Sequence, residues 1–336
     1  MKKSKKKKSV CKSYDIVSVG SATVDVFAKT ESELIKIKTL KSEEDLIAYP
    51  SGSKILITHL AFLFGGGGTN TAVSFSKLGL RTAFLGKVGR DDNGEKIMKH
   101  LKREKVDFVG AVGHEMTAYS VVLDSIEEDR TILAFKGASN NLHFRELKCG
   151  SFNTKWFYFS SMVDESYKTL EKLALFAKKN KIKIAFNPSN YLCEKGVSFL
   201  RKILSSTEVI VLNDEEAKLL VGSGSVKDHL KALHRLGPKT VVITMGRKGA
   251  VASDGGRFYE MKPPRVKVHE TTGAGDAFAA GFVTGMIKKG DVEFALKLGS
   301  VNAAGCISHY GAQMGLPQWD RAMQMMKRIN PRVKRL

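Results

Sequence analysis

Three small residues, Gly273, Ala274 and Gly275, precede a lone acid, Asp276, and an apolar run in which Phe278, Phe282 and Met286 recur every four residues. That spacing is helical. Small residues let backbone N–H groups converge at a helix start, where the helix dipole also favours negative charge. Asp276 then falls in the first turn, beside any anion those groups hold. An anion cradle with an adjacent carboxylate suits phosphoryl transfer to a hydroxyl: the cradle stabilises the spreading charge and the acid accepts the proton. The same residues also fit a glycine-rich loop in which Asp276 only caps a helix.

A second cluster, Gly65-Gly66-Gly67-Gly68-Thr69-Asn70, runs into Thr71–Leu78, a helical pattern stopped by Gly79. Glycines let backbone approach a ligand closely, and the Asn70 carboxamide offers donor and acceptor to a polyhydroxylated one. Gly86-Lys87-Val88-Gly89-Arg90-Asp91-Asp92-Asn93-Gly94 repeats the pattern of strand end, turn and helix start. With Asp25, Asn213-Asp214-Glu215-Glu216, Thr244-Met245-Gly246-Arg247-Lys248-Gly249 and Gly311-Ala312-Gln313, these segments resemble the ribokinase (PfkB) family of sugar and nucleoside kinases, in the family's order, across roughly residues 14–320.

The resemblance implies an ATP-dependent kinase of ribokinase-like α/β fold: a mostly parallel sheet covered by helices on both faces, with a small β-lid. It makes Asp276 the general base, with the N–H groups of Gly273, Ala274 and Gly275 as the anion hole. Asp25, Gly65, Gly66 and Asn70 become the acceptor site. Asn213, Thr244, Gly246, Lys248, Gly249 and Asn302 become nucleotide contacts, and Glu216 a magnesium contact, acting through water. Asn302 also fits a packed polar residue. The pattern departs at Glu270, where ribokinase itself has an aspartate that helps to bind a monovalent cation. The longer Glu arm leaves potassium binding open. A sugar is the expected acceptor, with a nucleoside and then a sugar phosphate as alternatives. Arg130 and Lys136 suit a phosphate, and Tyr119 and Phe135 suit a nucleobase, while both pairs equally fit ordinary lid surface and packing.

Strand patterns at Asp15–Val19, Ala83–Val88, Trp156–Ser160, Ile182–Phe186, Val209–Leu212 and Thr240–Thr244 alternate with helical ones at about 93–105, 166–180, 197–204, 214–220 and 226–235. This rhythm predicts a parallel sheet between helices, with ligands beyond the carboxyl ends of its strands. Residues 32–64 and 114–137 break the rhythm with β-rich pieces, including a hairpin over 119–135, and pair into one small sheet in this reading. That sheet is the expected lid, and a homodimer through it is an expected partner contact. The expected divisions are a basic tail (1–13), a kinase domain (14–322) and a basic end (323–336).

The chain has 336 residues, 43% of them hydrophobic, enough to bury a large core. Four cysteines, none in a CxxC pair, imply neither a disulfide framework nor a zinc site, so a reducing cytoplasm is the expected setting. No apolar run approaches the ~18 residues of a membrane helix. The net charge of +21 raises nucleic acid as a partner, and a catalytically dead basic nucleic-acid binder as a different class of function. Yet seven lysines fall in residues 1–12 and five basic residues in 327–336. More than half the excess therefore sits in ends that read as frayed, and nucleic acid is not the expected partner. A Gly-x4-Gly-Lys-Ser/Thr loop and a Gly-x-Gly-x-x-Gly fingerprint are both absent. Phosphate must be held by other scaffolding.

Overall fold

The computed structural model describes residues 12–30, 34–38, 43–47, 50–124, 130–148 and 152–335, without the side chains of 34–38, 43–47, 124 and 130. Cys11, Cys149, most of the lysine tail and the side chain of Arg130 lie outside the described residues.

The chain opens with β1 (Ile16–Val19), β2 (Thr23–Thr30), β3 (Leu34–Lys38), β4 (Glu43–Ile47), β5 (Ile57–Gly65) and helix α1 (Gly67–Lys77). Then come β6 (Thr82–Leu85), β7 (Lys87–Gly89), α2 (Asp92–Arg103), β8 (Val106–Phe108), β9 (Ala111–Gly113), β10 (Ala118–Asp124) and β11 (Arg130–Phe135). The middle alternates: β12 (Trp156–Phe159), α3 (Asp164–Lys179), β13 (Lys183–Phe186), α4 (Ser189–Cys193), α5 (Gly196–Leu204), β14 (Thr207–Asn213), α6 (Asp214–Val221), α7 (Val226–Arg235) and β15 (Thr240–Thr244). The last part holds β16 (Ala250–Ser253), β17 (Phe258–Met261), α8 (Ala274–Lys289), α9 (Val292–Ile307), α10 (Trp319–Ile329) and β18 (Val333–Arg335).

Ten strands form one sheet in the order β18-β17-β16-β15-β14-β13-β12-β1-β6-β8, parallel from β15 to β8 and antiparallel from β16 to β18. Alternation along each strand divides the core. Val17, Phe157, Phe159, Ile184, Phe186 and Ile210 point to one face, under α3, α5 and α7. Ile16, Tyr158, Ala185, Val209 and Val211 point to the other, under α1, α8 and α9. Such near-continuous apolar strands mark a sheet buried on both faces. The helix starts are set by side-chain caps: Asp91 for α2, Asn213 for α6, Ser225 for α7 and Asp291 for α9.

The expected rhythm is present, with three corrections. The run Ala83–Val88 breaks at Gly86, so that Lys87–Gly89 pairs with β9 in a separate ribbon. The second sheet has the order β11-β10-β2-β5, so the two regions share one small sheet but only through β2, which lies between them. Asp25, which follows β1 as expected, lies inside β2. The basic C-terminal end is ordered, because β18 extends the large sheet and Arg335 reaches Glu293 at 3.2 Å. At the other end, Lys12 pairs with Asp107 at 2.9 Å. No described helix is long and apolar enough to cross a membrane.

Helices α8 and α9 approach closely because small residues face each other. A Cβ on Gly281 would lie 2.8 Å from Gly299 Cα and 2.9 Å from Leu298 O. Gly281→Val should therefore force the two helices apart and destabilise the fold by about 1–3 kcal/mol, the usual cost of overpacking. Urea unfolding checks this. An unchanged midpoint would mean that the contact is not tight.

Candidate functional site

Parallel strands deliver their carboxyl ends to one edge of the sheet, and the polar residues gather there. Gly20 and Ser21 follow β1, Ser160 and Ser161 follow β12, Asn187 follows β13, Asn213 ends β14 and Thr244 ends β15. Asn213 and Thr244 are direct neighbours in the parallel register. A cavity of about 200 Å³ opens at this edge, lined by residues that include Ser21, Gly67, Lys136, Ser160, Asn187 and Asp276. A hollow of about 230 Å³ beside His143, Arg145, Lys168 and Lys172 contains none of the motif residues.

Asp276 sits in the first turn of α8, whose N-cap Gly273 is left-handed at φ 76°. Asn70 Nδ2 donates to Asp276 Oδ2 at 2.9 Å. A Cβ on Gly67 would come 2.1 Å from Ser160 Oγ and 3.6 Å from Asp276 Oδ1, so glycine there leaves room for the Ser160 hydroxyl beside Asp276. Burial pushes the Asp276 carboxyl up to about 6, against the lowering effect of the Asn70 amide. The N–H of Ala274 is taken by Thr271 O at 3.2 Å, which removes it from the expected anion hole. Among the described residues no backbone acceptor meets the N–H groups of Gly275 or Asp276.

Asn70 is only partly available to a ligand, since its Oδ1 accepts from Gln313 Nε2 at 2.8 Å. Gln313 Oε1 in turn lies 2.7 Å from His100 Nε2. Asp25 accepts from Thr23 Oγ1 at 2.8 Å and from Ser120 Oγ at 2.5 Å, and burial raises its pKa while these hydroxyls lower it. A Cβ on Gly65 would overlap Asp25 Oδ2 at 1.7 Å, so the first glycine of the cluster makes room for that carboxylate. Gly66 precedes α1 with φ 94°.

Asn213 and Glu216 form a reciprocal cap: Asn213 Oδ1 accepts from Glu216 N, and Glu216 Oε2 accepts from Asn213 N, both at 2.8 Å. Burial raises the Glu216 pKa, and the charges of Asp276 and Glu215 add to it. Tyr158, wholly buried below them, is raised well above its ordinary range by burial and by Asp276 and Glu216, and among the described residues its hydroxyl has no hydrogen-bond partner. Thr244, Gly246, Lys248 and Gly249 surround one turn, in which Met245 N donates to Gly249 O at 2.7 Å and Lys248 N to Met245 O at 2.9 Å.

Asn302 is wholly buried, and its Nδ2 donates to Ser74 Oγ at 2.8 Å and Ala277 O at 2.6 Å, so it ties α9 to α1 and α8, as the packed-residue alternative has it. Tyr119 and Phe135 pair with each other and with Val24, on the face of the small sheet opposite Asp25 and Ser120. Glu270 Oε2 accepts from Gly311 N at 2.7 Å, which makes it a brace for that loop. Sequence reasoning missed Ser21, Ser160, Ser161 and His100. The strand-end positions of the serines carry a signal, whereas nothing in its local sequence marks His100.

A raised carboxyl destabilises the fold wherever it is ionised. The folded state binds the Asp276 proton more tightly than the unfolded state, so stability falls as pH rises from about 4 to about 6, and the penalty is complete above that. Asp276→Asn should therefore melt above wild type at pH 8, with the gap narrowing by pH 5. A calorimetric comparison showing the same gap at both values would place the carboxylate in ordinary solvent.

Residues 14–319 match the pfkB family carbohydrate kinase. An uncharacterized sugar kinase of Archaeoglobus fulgidus is 32% identical over 73% of this chain and 99% of its own length. An ATP-dependent 6-phosphofructokinase of Thermoanaerobacterium thermosaccharolyticum is 25% identical over 94% of each chain. Among solved structures, Arabidopsis thaliana ribokinase complexed with ribose and ATP superposes with TM-score 0.80 at 23% identity, over 94% of this chain and 99% of that one, and shares the fold. The chain belongs to the pfkB family of carbohydrate kinases.

Proposed function

We propose that the chain transfers the γ-phosphoryl group of ATP to a hydroxyl of a sugar, with Asp276 as the base. The observation that carries this is a desolvated carboxylate in the first turn of α8, held by Asn70 and opening onto a polar cavity. The acceptor hydroxyl lies against Asp276 Oδ1, above Gly67. Its oxygen forms a bond to the γ-phosphorus, the bond to the ADP oxygen breaks, and the proton passes to Asp276. The free N–H groups at the start of α8 face the transferring group, where charge spreads. Asp25 and the remaining Asn70 hydrogen hold other hydroxyls of the acceptor, with Gly65 and Gly66 shaping that wall. Asn213, Thr244, Gly246, Lys248 and Gly249 hold the nucleotide.

Glu216 is a buried acid whose affinity for protons is raised by burial and by the nearby Asp276 charge, and among the described residues neither acid has an ion-paired cation. That arrangement fits magnesium, with Glu216 holding it through water. Bound there, the ion would neutralise phosphate charge during transfer. Glu270 is engaged as a brace, and no step uses potassium. The serine- and asparagine-rich cavity, with Tyr119 and Phe135 turned away, favours a sugar over a nucleoside.

Asp276→Asn should retain ATP binding but lose at least ~100-fold in kcat, the low end for a general base. In the wild type, kcat should rise with pH through about 6, as Asp276 ionises. ADP release against ribose, fructose, ketodeoxygluconate, adenosine and fructose 6-phosphate identifies the acceptor class. Undiminished turnover in Asp276→Asn would refute the mechanism.

The small sheet serves in this reading as a lid that excludes water. Its face away from Asp25 carries Leu60, Phe62, Leu133 and Phe135, all about half exposed or more, with Phe62 and Leu133 in one row across Val26. A second copy of the chain fits this apolar face. Phe62→Lys should shift sedimentation from dimer to monomer, and a wild-type monomer at micromolar concentration would remove the proposal.

A further inference from the structure

One charge dictates the polarity of a hydrogen-bond chain that crosses four elements. Ionised Asp276 can only accept, so Asn70 must present Nδ2 to it, at 2.9 Å. That turns Asn70 Oδ1 toward Gln313, which must present Nε2, at 2.8 Å. Gln313 Oε1 is then left facing His100 Nε2 at 2.7 Å, so the imidazole must carry a proton on that nitrogen. The residues come from α8, α1, the loop between α9 and α10, and α2. Both ends of the outer pair are fixed. The His100 ring stacks on Phe64 with centroids 4.4 Å apart, and Lys77 Nζ donates to the Gln313 backbone oxygen at 3.3 Å.

We propose that Gln313 and His100 are positioning residues, which lock the Asn70 carboxamide so that its N–H and not its C=O meets the base throughout turnover. The inference rests on Asp276 acting as the base, as set out above. An asparagine amide can turn over and exchange its oxygen and nitrogen with little change of shape. While Asp276 is ionised it selects the N–H by itself. Once it has taken the acceptor's proton it is neutral, and that selection weakens. Gln313 Nε2 continues to hold Asn70 Oδ1, and His100 holds Gln313 in the orientation that makes this possible. The carboxamide therefore still points its N–H at the base when the proton must leave again. Hydrogen bonds in such a buried chain also polarise one another. One Asn70 hydrogen remains for the acceptor.

Substitutions that keep shape but change polarity test this. Gln313→Glu can only accept, so it sets a carboxylate against Asn70 Oδ1 and drives the amide to turn its oxygen toward Asp276. Gln313→Met keeps the volume and removes the preference. Expected kcat losses are ~100-fold for Gln313→Glu and ~10-fold for Gln313→Met, with KM for ATP within about twofold of wild type, a split that places the loss in the chemical step rather than in nucleotide binding. His100→Phe keeps the ring on Phe64 but lacks the donor, and should lose about threefold in kcat at unchanged melting temperature. Equal kcat in the two Gln313 variants would overturn the proposal, as would wild-type kcat in His100→Phe, which remains informative if Gln313→Glu does not fold. Failure of the base itself is distinguishable, because it appears as undiminished turnover in Asp276→Asn.

Discussion

A carboxylate withdrawn from water loses hydration that only fixed donors can replace, and among the described residues Asp276 has a single side-chain donor, Asn70 Nδ2. Everything that keeps the carboxylate in place must therefore come from the backbone that carries it. Helix α8 is buried along Ala277–Gly285 and packs its aromatic residues Phe278 and Phe282 under the large sheet. Its partner α9 lies close enough that the two helices behave as one slab, with Gly281 against Gly299 and Gly285 against Ala295. Asn302 adds polar ties from that slab to Ser74 on α1, the helix that carries Asn70. The carboxylate and its donor are thus fixed to each other twice, once directly and once through the packing behind them.

Parallel topology then decides what can stand around the carboxylate. Because β1, β12, β13, β14 and β15 run the same way, their last residues meet at one edge, and short side chains there leave a cavity rather than a plug. Ser21, Ser160 and Asn187 line it together with Gly67 and Asp276, and a side chain at Gly67 would collide with Ser160 Oγ. The small sheet supplies Asp25 from β2, with Ser120 beside it on β10. Strand alternation separates its two faces: one carries the Asp25 carboxylate, the other the apolar rows around Phe62 and Leu133.

What could be read from the sequence was whatever repeats locally. The alternation of apolar strands and amphipathic helices was legible, and β15 falls on Thr240–Thr244 as expected. The two glycine-rich helix starts were legible because their residue types are unusual together. Long-range pairing was not. The span Thr23–Thr30 passes unnoticed as a strand, yet it is the member that joins β5 to β10. Asn302 looks the same in sequence whether it faces a ligand or a neighbouring helix, and its contacts with Ser74 and Ala277 come from distant parts of the chain. Glu216 carries two signals at once, because a capping box and a metal-adjacent acid need the same three-residue spacing. His100 and Gln313 are separated by most of the chain, and local patterning cannot join them.

Three acids near the site show why one of them suits proton exchange. Burial raises Asp25, Glu216 and Asp276, and the donors that oppose it differ among the three. Asp25 accepts from two hydroxyls, Thr23 and Ser120, which favour its ionised form. Glu216 accepts the Asn213 N–H and is tied into the start of α6, so moving it would uncap a helix. Asp276 is opposed by one amide alone and rises to about 6, within reach of neutral pH. Its Oδ2 is engaged by that amide, while Oδ1 faces the gap that Gly67 leaves. A base must be ionised before the reaction, able to hold a proton afterwards, and reachable on one oxygen. Of the three carboxylates, the sparsely bonded Asp276 alone meets all of these conditions, and the same sparse bonding makes the orientation of its single donor matter so much.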